Sequence, residues 1–423
     1  MAQKGIREYD AKRMMASELP KYLQAETCSY GGQAALWGPD TDFSELAKAN
    51  PWMAETPLVV KPDQLFGKRG KHGLVLLNAD WQDAKAWIEE RMNTEVNVGK
   101  TTGTLSHFLI EPFVPHPEED EHYLAISARR DDDVIYFSPK GGIFVEENWD
   151  QVIQIPVPIM ESIDDINVLE QVAFMGDKAE NIANFITAVY KFYADGGFSY
   201  LEINPFVCDS EGKIIPLDMV AKVDDTAAFD CRNMWGGLEF PKAFGAHNTP
   251  EEEYIEQLDS QTGASLKLTV LNPSARIWTM VAGGGASVIY ADTVFDLGHG
   301  NELGNYGEYS GNPSKEMTYL YAKTLFDLMT REKHPDGKIL LVGGGIANFT
   351  DVAKTFTGLI QALNEFKEKL IEHKVKIYVR RGGPNYKEGL DKMRALGETL
   401  GVPIEVYGPE THMTKIVSLA LGR

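Results

Sequence analysis

The sequence predicts an α/β protein of two domains, the second built on a doubly wound parallel sheet. Three observations carry that expectation. The chain has 423 residues, more than one hydrophobic core usually organises, and an ordinary apolar fraction of 43%. Its first half contains hairpins whose tips carry Gly, Lys, Asp or Glu, whereas from residue 277 onward short apolar runs alternate with helical periodicities. The clearest single unit lies at 340–356, LLVGGGIANFTDVAKTF, which reads as a buried strand, a glycine turn and the start of a helix.

Composition narrows the partners. Lys and Arg number 41 against 62 Asp and Glu, a formal charge of −21 that repels phosphate backbones and anionic lipid. Nucleic acid and membrane surfaces are therefore excluded as general partners, and an anionic small molecule needs local clusters of Arg, Lys and backbone donors. Cys28, Cys208 and Cys231 are too few and too far apart for a disulfide framework or a Cys-x-x-Cys metal site. No signal peptide is apparent, and no apolar run approaches the roughly 20 residues that span a bilayer, so a cytoplasmic location is expected.

In chain order, 9–18 reads as a helix followed by a loop rich in Gly, Ser and Pro. The strands 58–60 and 74–77 flank a tip with glycine at 67, 70 and 73 and with Lys61, Lys68, Arg69 and Lys71. Such a tip suits either a phosphate-covering loop or a solvated basic turn. A helix at 81–92 precedes a strand at 108–114, where Pro112 removes a ladder donor and points to an edge or a hinge. The acidic turn 118–121 borders the strand 123–128. One of its carboxylates can serve ribose hydroxyls if a nucleotide lies alongside.

The helix at 178–193 leads into strands 198–207 and 213–220 around the turn 209–212. Antiparallel pairing about that turn gives partner numbers that sum to roughly 421 or 422, so Asn204 faces Asp218. The two-residue repeat puts Glu202 on the same face. Hard oxygen donors of this kind suit magnesium held partly by nucleotide phosphates, while the plainer reading is a polar outer face. The sequence loosens after 240–241 and through 246–250, which gives domains at 1–243 and 244–423.

In the second half, strand 277–282 runs into Gly283–Gly284–Gly285 and a helix, and a further helix spans 314–329. Strand 376–379 leads through Arg380–Arg381–Gly382–Gly383–Pro384 to a helix at 387–400, then a strand at 404–407 and a helix at 412–421. In such sheets the ligand crevice lies at the carboxyl ends of the strands, so the loops 283–287, 343–350 and 380–384 share one site. Asn348 or Thr350 is expected to cap the helix after 345, offering N–H groups and a positive dipole end to an anion. Arg381 supplies a planar fork for a carboxylate, and Asn305, Ser310 and Gly311 a further wall. A polycarboxylate fits. A dinucleotide site is the weaker reading, because neither glycine run has GxGxxG spacing.

These residues carry a resemblance over nearly the whole chain. VVKPDQL from Val59, FLIEPFVPH from Phe108, YLEINPF from Tyr200, TGASLK from Thr262, RIWTMVAGGGASV from Arg276, ELGNYGEYSG from Glu302, GGIANFT from Gly344 and VRRGGPNY from Val379 resemble the nucleotide- and citrate-binding half of ATP-citrate lyase, in the short subunit form of the split enzyme. More distantly the chain is similar to the β subunit of succinyl-CoA synthetase. The resemblance implies an ATP-grasp domain followed by a flavodoxin-like, citrate-binding ligase domain.

It further implies ATP phosphates at Lys61, Arg69 and Gly70, an adenine hinge at Pro112 and Val114, ribose at Glu121, and Mg2+ at Asn204 and Asp218. Citrate is implied at Gly311, Asn348, Thr350 and Arg381. Near Phe366 the resemblance places an aromatic whose hydroxyl, where present, serves citrate, and phenylalanine has none.

The family's chemistry phosphorylates a histidine, passes the phosphoryl group to citrate, displaces it with CoA and cleaves citryl-CoA to acetyl-CoA and oxaloacetate. None of this chain's nine histidines stands in the matching motif. No catalytic residue is therefore expected here, and His72, His107, His116 and His122 read as surface or structural. A second subunit with the phosphohistidine, the CoA site and a citrate-synthase-like domain is implied, in a hetero-oligomer. The alternatives are a citryl-CoA synthetase large subunit, an acid–CoA ligase β subunit, or a non-catalytic citrate-sensing chain, which would not need the intact Lys61, Arg69, Asn204 and Asp218.

Overall fold

The computed structural model describes residues 3–24, 30–142, 145–209, 212–246, 248–261 and 263–422. Cys28, His247, Thr262 and the turn residues Ser210 and Glu211 lie outside the described residues. The chain divides into two compact units, residues 1–246 and 247–423.

The first unit holds two antiparallel sheets whose strands alternate between a core face and a polar face. In the seven-stranded sheet, Phe198–Cys208 lies between Glu121–Ala128 and Met219–Asp224, with Gln3–Ile6 outside the latter and Asp132–Ser138 and Ile153–Pro158 on the other side. Leu201, Ile203, Met219, Ala221 and Val223 point into a core closed by Ile182, Phe185, Ile186, Val189 and Phe192 of helix Ala179–Asp195. Each such side chain contributes roughly 1.5–3 kcal/mol on burial. The opposite parity leaves Tyr200, Glu202, Asn204 and Val220 on the other face.

The register bears out the pair sum. Ile203 faces Met219, Glu202 faces Val220, and Asn204 N donates to Asp218 O at 2.9 Å. Where one strand was expected over 213–220, the chain instead forms Ile214–Pro216 and Met219–Asp224. The break at Leu217–Asp218 leaves the ladder and frees Leu217 O for side-chain donors.

The second sheet runs Ala35–Trp37, Phe108–Pro112, Leu58–Pro62, Leu76–Ala79. Leu58, Val60, Phe108 and Ile110 meet Ala84 and Ile88 of helix Trp81–Arg91, while Val59, Lys61 and Glu111 have the opposite parity. Phe108–Pro112 is an interior strand, not an edge. Pro112 is tolerated there because it is the strand's last residue. The region read as loop after residue 18 also contains Ala35–Trp37 and helix Phe43–Ala49, short elements with little periodicity.

In the second unit, strands Ile277–Ala282, Ile339–Gly344, Lys376–Arg380 and Ile404–Tyr407 form a parallel sheet in chain order. Both faces are covered, as in a doubly wound sheet. Trp278, Met280, Leu340, Val342, Ile377 and Val379 enter one core with helices Lys315–Met329, Val352–Glu365 and Tyr386–Leu400. Ile277, Val281, Ile339, Leu341 and Tyr378 enter another with Gly284–Val294 and Lys415–Ala420. An antiparallel pair, Ser265–Val270 with Asn305–Ser310, was not anticipated. Among the described residues no helix is long and apolar enough to cross a membrane.

Candidate functional site

Strands of both sheets of the first unit line one cavity of about 1130 Å³. Lys61, Arg69, Gly70, Pro112, Val114, Glu121, Asn204 and Asp218 all border it. The basic tip divides. Arg69 and Lys61 are buried, at 7% and 5% exposure, while Lys68 and Lys71 remain exposed. Positive charge is therefore buried at the cavity floor and exposed at its rim.

The floor is an ion network that the sequence reading missed in half its members. Lys61 Nζ lies 2.6 Å from Glu8 Oε1, and Arg69 Nη2 lies 2.7 Å from Glu8 Oε2. Lys12 Nζ lies 2.8 Å from Glu111 and 3.0 Å from Glu8. Arg69 also pairs closely with Asp218, and Lys61 is 3.5 Å from it. The freed Leu217 carbonyl accepts from Lys12 at 2.7 Å and from Lys61 at 3.0 Å. Asp63 accepts from Glu8 N at 2.8 Å and Tyr9 N at 3.0 Å, so it holds the start of helix Glu8–Glu18. A signal existed: Glu8 and Lys12, four residues apart, share the apolar face of Ala11, Met14 and Met15.

Charge and burial oppose each other here. Burial by itself would raise the Glu8 carboxyl, but Lys12, Lys61 and Arg69 hold it well below the ordinary range. Burial likewise works against the Lys12 ammonium, yet Glu111 and Glu8 raise it above its usual value. Burial and the neighbouring Glu8 charge push Asp63 up to about 6, outweighing the Tyr9 and Glu8 N–H groups and Arg69, which lower its carboxyl. Asp218 keeps 37% of its side chain open to the cavity, yet it lies deep enough that desolvation raises it, against Arg69 and Lys61, with Glu8 adding to the rise.

Asn204 Oδ1 accepts from Gly142 N at 2.7 Å, which orients its amide beside the cavity. With Asp218, which faces it from the break between two strands, it offers two hard oxygen donors, one of them anionic. That donor set fits a divalent cation whose remaining ligands are phosphates and water. Among the described residues no group of three or more His, Cys, Asp or Glu forms a closed metal cage. Glu202 also lines the cavity and accepts from the Tyr200 hydroxyl.

His116 was read as surface or structural, and the structure places it in the cavity lining. Its Nδ1 lies 2.7 Å from Val114 O and its Nε2 3.1 Å from Glu121 Oε1. His107 is structural, bonded to Arg7 and Ser106, and burial lowers its ring to about 4.

In the second unit the loops at the carboxyl ends of the parallel strands converge. Arg381 Nη1 donates to Gly345 O at 3.0 Å, Ala347 N to Gly382 O at 3.0 Å, and Asp351 N to Asn312 Oδ1 at 3.3 Å. Gly284 approaches Glu308, and Ser287 Oγ donates to Gly307 O, a buried packing bond. Of the four citrate candidates, Gly311 lines a small cavity with Asn312, Ser314 and Lys354, and Asn348, Thr350 and Arg381 stand outside it.

Two expectations are corrected. The helix after Gly345 begins at Val352 and is capped by Asp351, whose carboxylate accepts from Lys354 N and from Asn385. Neither Asn348 nor Thr350 caps it: the chain pairs Ile346 with Gly382, bends at 348–349, and is tied again by Val352 N to Pro384 O at 3.0 Å before the helix starts. Asn305 is fully buried, and its amide joins Thr279 N at 2.8 Å and Thr279 O at 2.9 Å. It continues a sheet ladder and forms no wall.

The two arginines of VRRGGPNY differ in use. Arg380 gives its guanidinium to the carbonyls of Thr411, Gly344 and Pro409. Arg381, 3% exposed, keeps Nε without a partner among the described residues, as do Glu308 Oε2 and the hydroxyls of Tyr290 and Tyr309. Buried polar atoms are rarely left so, and a cluster of them marks a place for water or ligand. Phe366 packs edge-on to Phe326 at the far end of helix Val352–Glu365.

A cavity floored by buried lysine and arginine and lined by two antiparallel sheets, with a parallel-sheet unit following in the chain, defines an ATP-grasp protein with an appended ligase-type domain. Residues 2–235 match the family described as the ATP-citrate synthase ATP-grasp domain, and residues 246–423 the one described as ATP citrate lyase citrate-binding. The chain belongs to the ATP-citrate synthase, or ATP-citrate lyase, family. It is 49% identical to the ATP-citrate synthase alpha chain protein 2 of Oryza sativa subsp. japonica, over 100% of this chain and 98% of that relative. It is 53% identical to the ATP-citrate synthase of Homo sapiens over 91% of this chain, but spans only 35% of that longer protein, and the same holds for the one from Bos taurus. The solved structure of ATP citrate lyase from Methanothrix soehngenii in complex with citrate and coenzyme A superposes with a TM-score of 0.90, at 56% identity over 100% of both chains.

Proposed function

We propose that this chain is the ATP- and citrate-binding subunit of a split ATP-citrate lyase, an acyltransferase that converts citrate, ATP and CoA to acetyl-CoA, oxaloacetate, ADP and phosphate. The observation that carries the reading is the cavity of the first unit, where Lys61 and Arg69 are buried opposite Asn204 and Asp218. In this reading Lys61, Arg69 and Gly70 take the phosphates, Pro112 and Val114 the adenine, and Glu121 the ribose. Asn204 and Asp218 take Mg2+, which when bound neutralises the charge gathering on the phosphates. Arg381, with its unpartnered Nε, holds a citrate carboxylate, and Gly311, Asn348 and Thr350 complete that site.

The remaining chemistry belongs to a partner subunit that carries the phosphorylated histidine, the main CoA contacts and the cleavage domain, in a cytoplasmic hetero-oligomer. The alpha-chain name of the relatives that this chain spans almost end to end supports that division. The purified chain should bind ATP and citrate in calorimetric titrations yet form no acetyl-CoA from citrate, ATP and CoA until the partner is added. Acetyl-CoA produced by the chain alone would overturn the division of labour.

A further inference from the structure

Glu8 stands behind the cavity floor, where it touches every cation that borders Asp218. Its side chain is 2% exposed and does not line the cavity, so it cannot reach a ligand. Its two oxygens meet Lys61 at 2.6 Å, Arg69 at 2.7 Å and Lys12 at 3.0 Å, and accept from Met219 N at 3.2 Å. Met219 follows Asp218, and Lys61 comes from the other sheet, so one carboxylate ties both sheets together beside the proposed metal ligand. Asp63 fixes Glu8 in turn by accepting from its backbone N–H.

We propose that Glu8 is a positioning residue that shares Lys61 and Arg69 with Asp218 and so leaves Asp218 able to take the metal of a magnesium nucleotide. This rests on the nucleotide reading of the cavity. Three cations, Lys12, Lys61 and Arg69, face three carboxylates, Glu8, Glu111 and Asp218. When the Glu8 charge is removed, Asp218 is the one carboxylate left in contact with Arg69 among the described residues. A cation must then displace an arginine whose Nη2 has no second carboxylate partner among the described residues. With Glu8 present, Arg69 keeps a carboxylate partner when Asp218 turns to the metal, and its second nitrogen stays on Pro62 O at 2.9 Å.

The test is calorimetric titration of ATP into the purified chain across a series of Mg2+ concentrations. Glu8→Gln should raise the Mg2+ concentration that half-maximally tightens ATP binding by about tenfold, while changing metal-free ATP affinity less than about threefold, as expected for coupling confined to one charge network. Glu8→Gln/Arg69→Gln should return that Mg2+ midpoint toward the parent's even though ATP binds more weakly, a rescue that loss of packing would not give. Should Glu8→Gln fail to fold, Glu8→Asp, whose carboxylate is one methylene shorter and so draws back from Lys61 and Arg69, takes its place with the same expected shift. An unchanged Mg2+ midpoint in the folded variant, or no rescue by the second substitution, would overturn the role of Glu8 and leave the nucleotide reading standing. Failure of the parent chain to bind ATP at any Mg2+ concentration would overturn that reading instead.

Discussion

Lys12 Nζ lies 2.8 Å from both carboxylate oxygens of Glu111, with the two side chains 1% and 9% exposed. Breaking such a pair strands one nearly buried charge in the cavity wall. Lys12→Met is expected to lower unfolding stability by about 3–5 kcal/mol, read as a lower denaturant midpoint, because among the described residues Glu111 keeps only Lys61, at 3.6 Å, as an ion-pair partner. Lys12→Met/Glu111→Leu should recover most of the loss. A double variant no more stable than the single one would show that the pair is not the source of the cost.

Asp218→Ala should abolish Mg2+-dependent phosphorylation of the partner subunit and leave citrate affinity nearly intact. Asp218 borders the first unit's cavity, while the citrate candidates belong to the second unit. Phosphohistidine labelling with citrate calorimetry measures both. An unchanged labelling rate would remove Asp218 from the metal site.

Citrate affinity should depend on Arg381 more than on Thr350. A hydrogen bond to a charged group is worth roughly 1.5–3 kcal/mol. A helix end gives about 0.3–1 kcal/mol when exposed, and here Asp351 already sits at that end. Arg381→Lys keeps the charge but loses the fork, so a drop of about 10- to 100-fold is expected, with a smaller one for Thr350→Val and ATP binding spared in both. Equal citrate affinity in Arg381→Lys and the parent would assign this arginine to the fold.

Stability should fall as pH rises from about 4 to about 6 through Asp63. Its carboxyl is pushed up to about 6 in the folded chain by burial and by Glu8, against about 3.9 unfolded. The folded state therefore holds a proton that the unfolded state has lost, and the advantage is fully present below pH 4 and gone above 6. The size is about 2–3 kcal/mol. Glu8, held low, acts with the opposite sign and loses its contribution only as pH falls below the usual glutamate range. Denaturant unfolding of the parent and of Asp63→Asn across this window should show the slope flattened in the variant. The same slope in both would place the titration elsewhere.

Much of the second unit was legible because its signals are local. Strands Ile277–Ala282 and Ile404–Tyr407 have the boundaries that their apolar runs indicated. The Phe198–Cys208 hairpin gave its register away through the pair sum, since one turn relates both strands. Ser265–Val270 with Asn305–Ser310 went unseen because glycine and asparagine dilute one strand, and its partner lies some 40 residues off.

The sequence by itself determined the alternation of elements, the pairing of Asn204 with Asp218 and the set of residues that the family resemblance marked. These follow from periods of 2 and 3.6 and from short motifs, which neighbouring residues suffice to specify. Only the tertiary structure decided which charges are buried and with whom. Lys61 reaches Glu8 across 53 positions and Met219 N reaches the same carboxylate across 211, and no local period encodes a contact at such a separation. Nor does local propensity choose Asp351 over Thr350 as the cap, since both residue types suit the role. The bridge of Ile346 to Gly382 and the bond from Val352 N to Pro384 O at 3.0 Å tie both sides of the bend at 348–349 to one loop, and the helix starts only after it, at Val352.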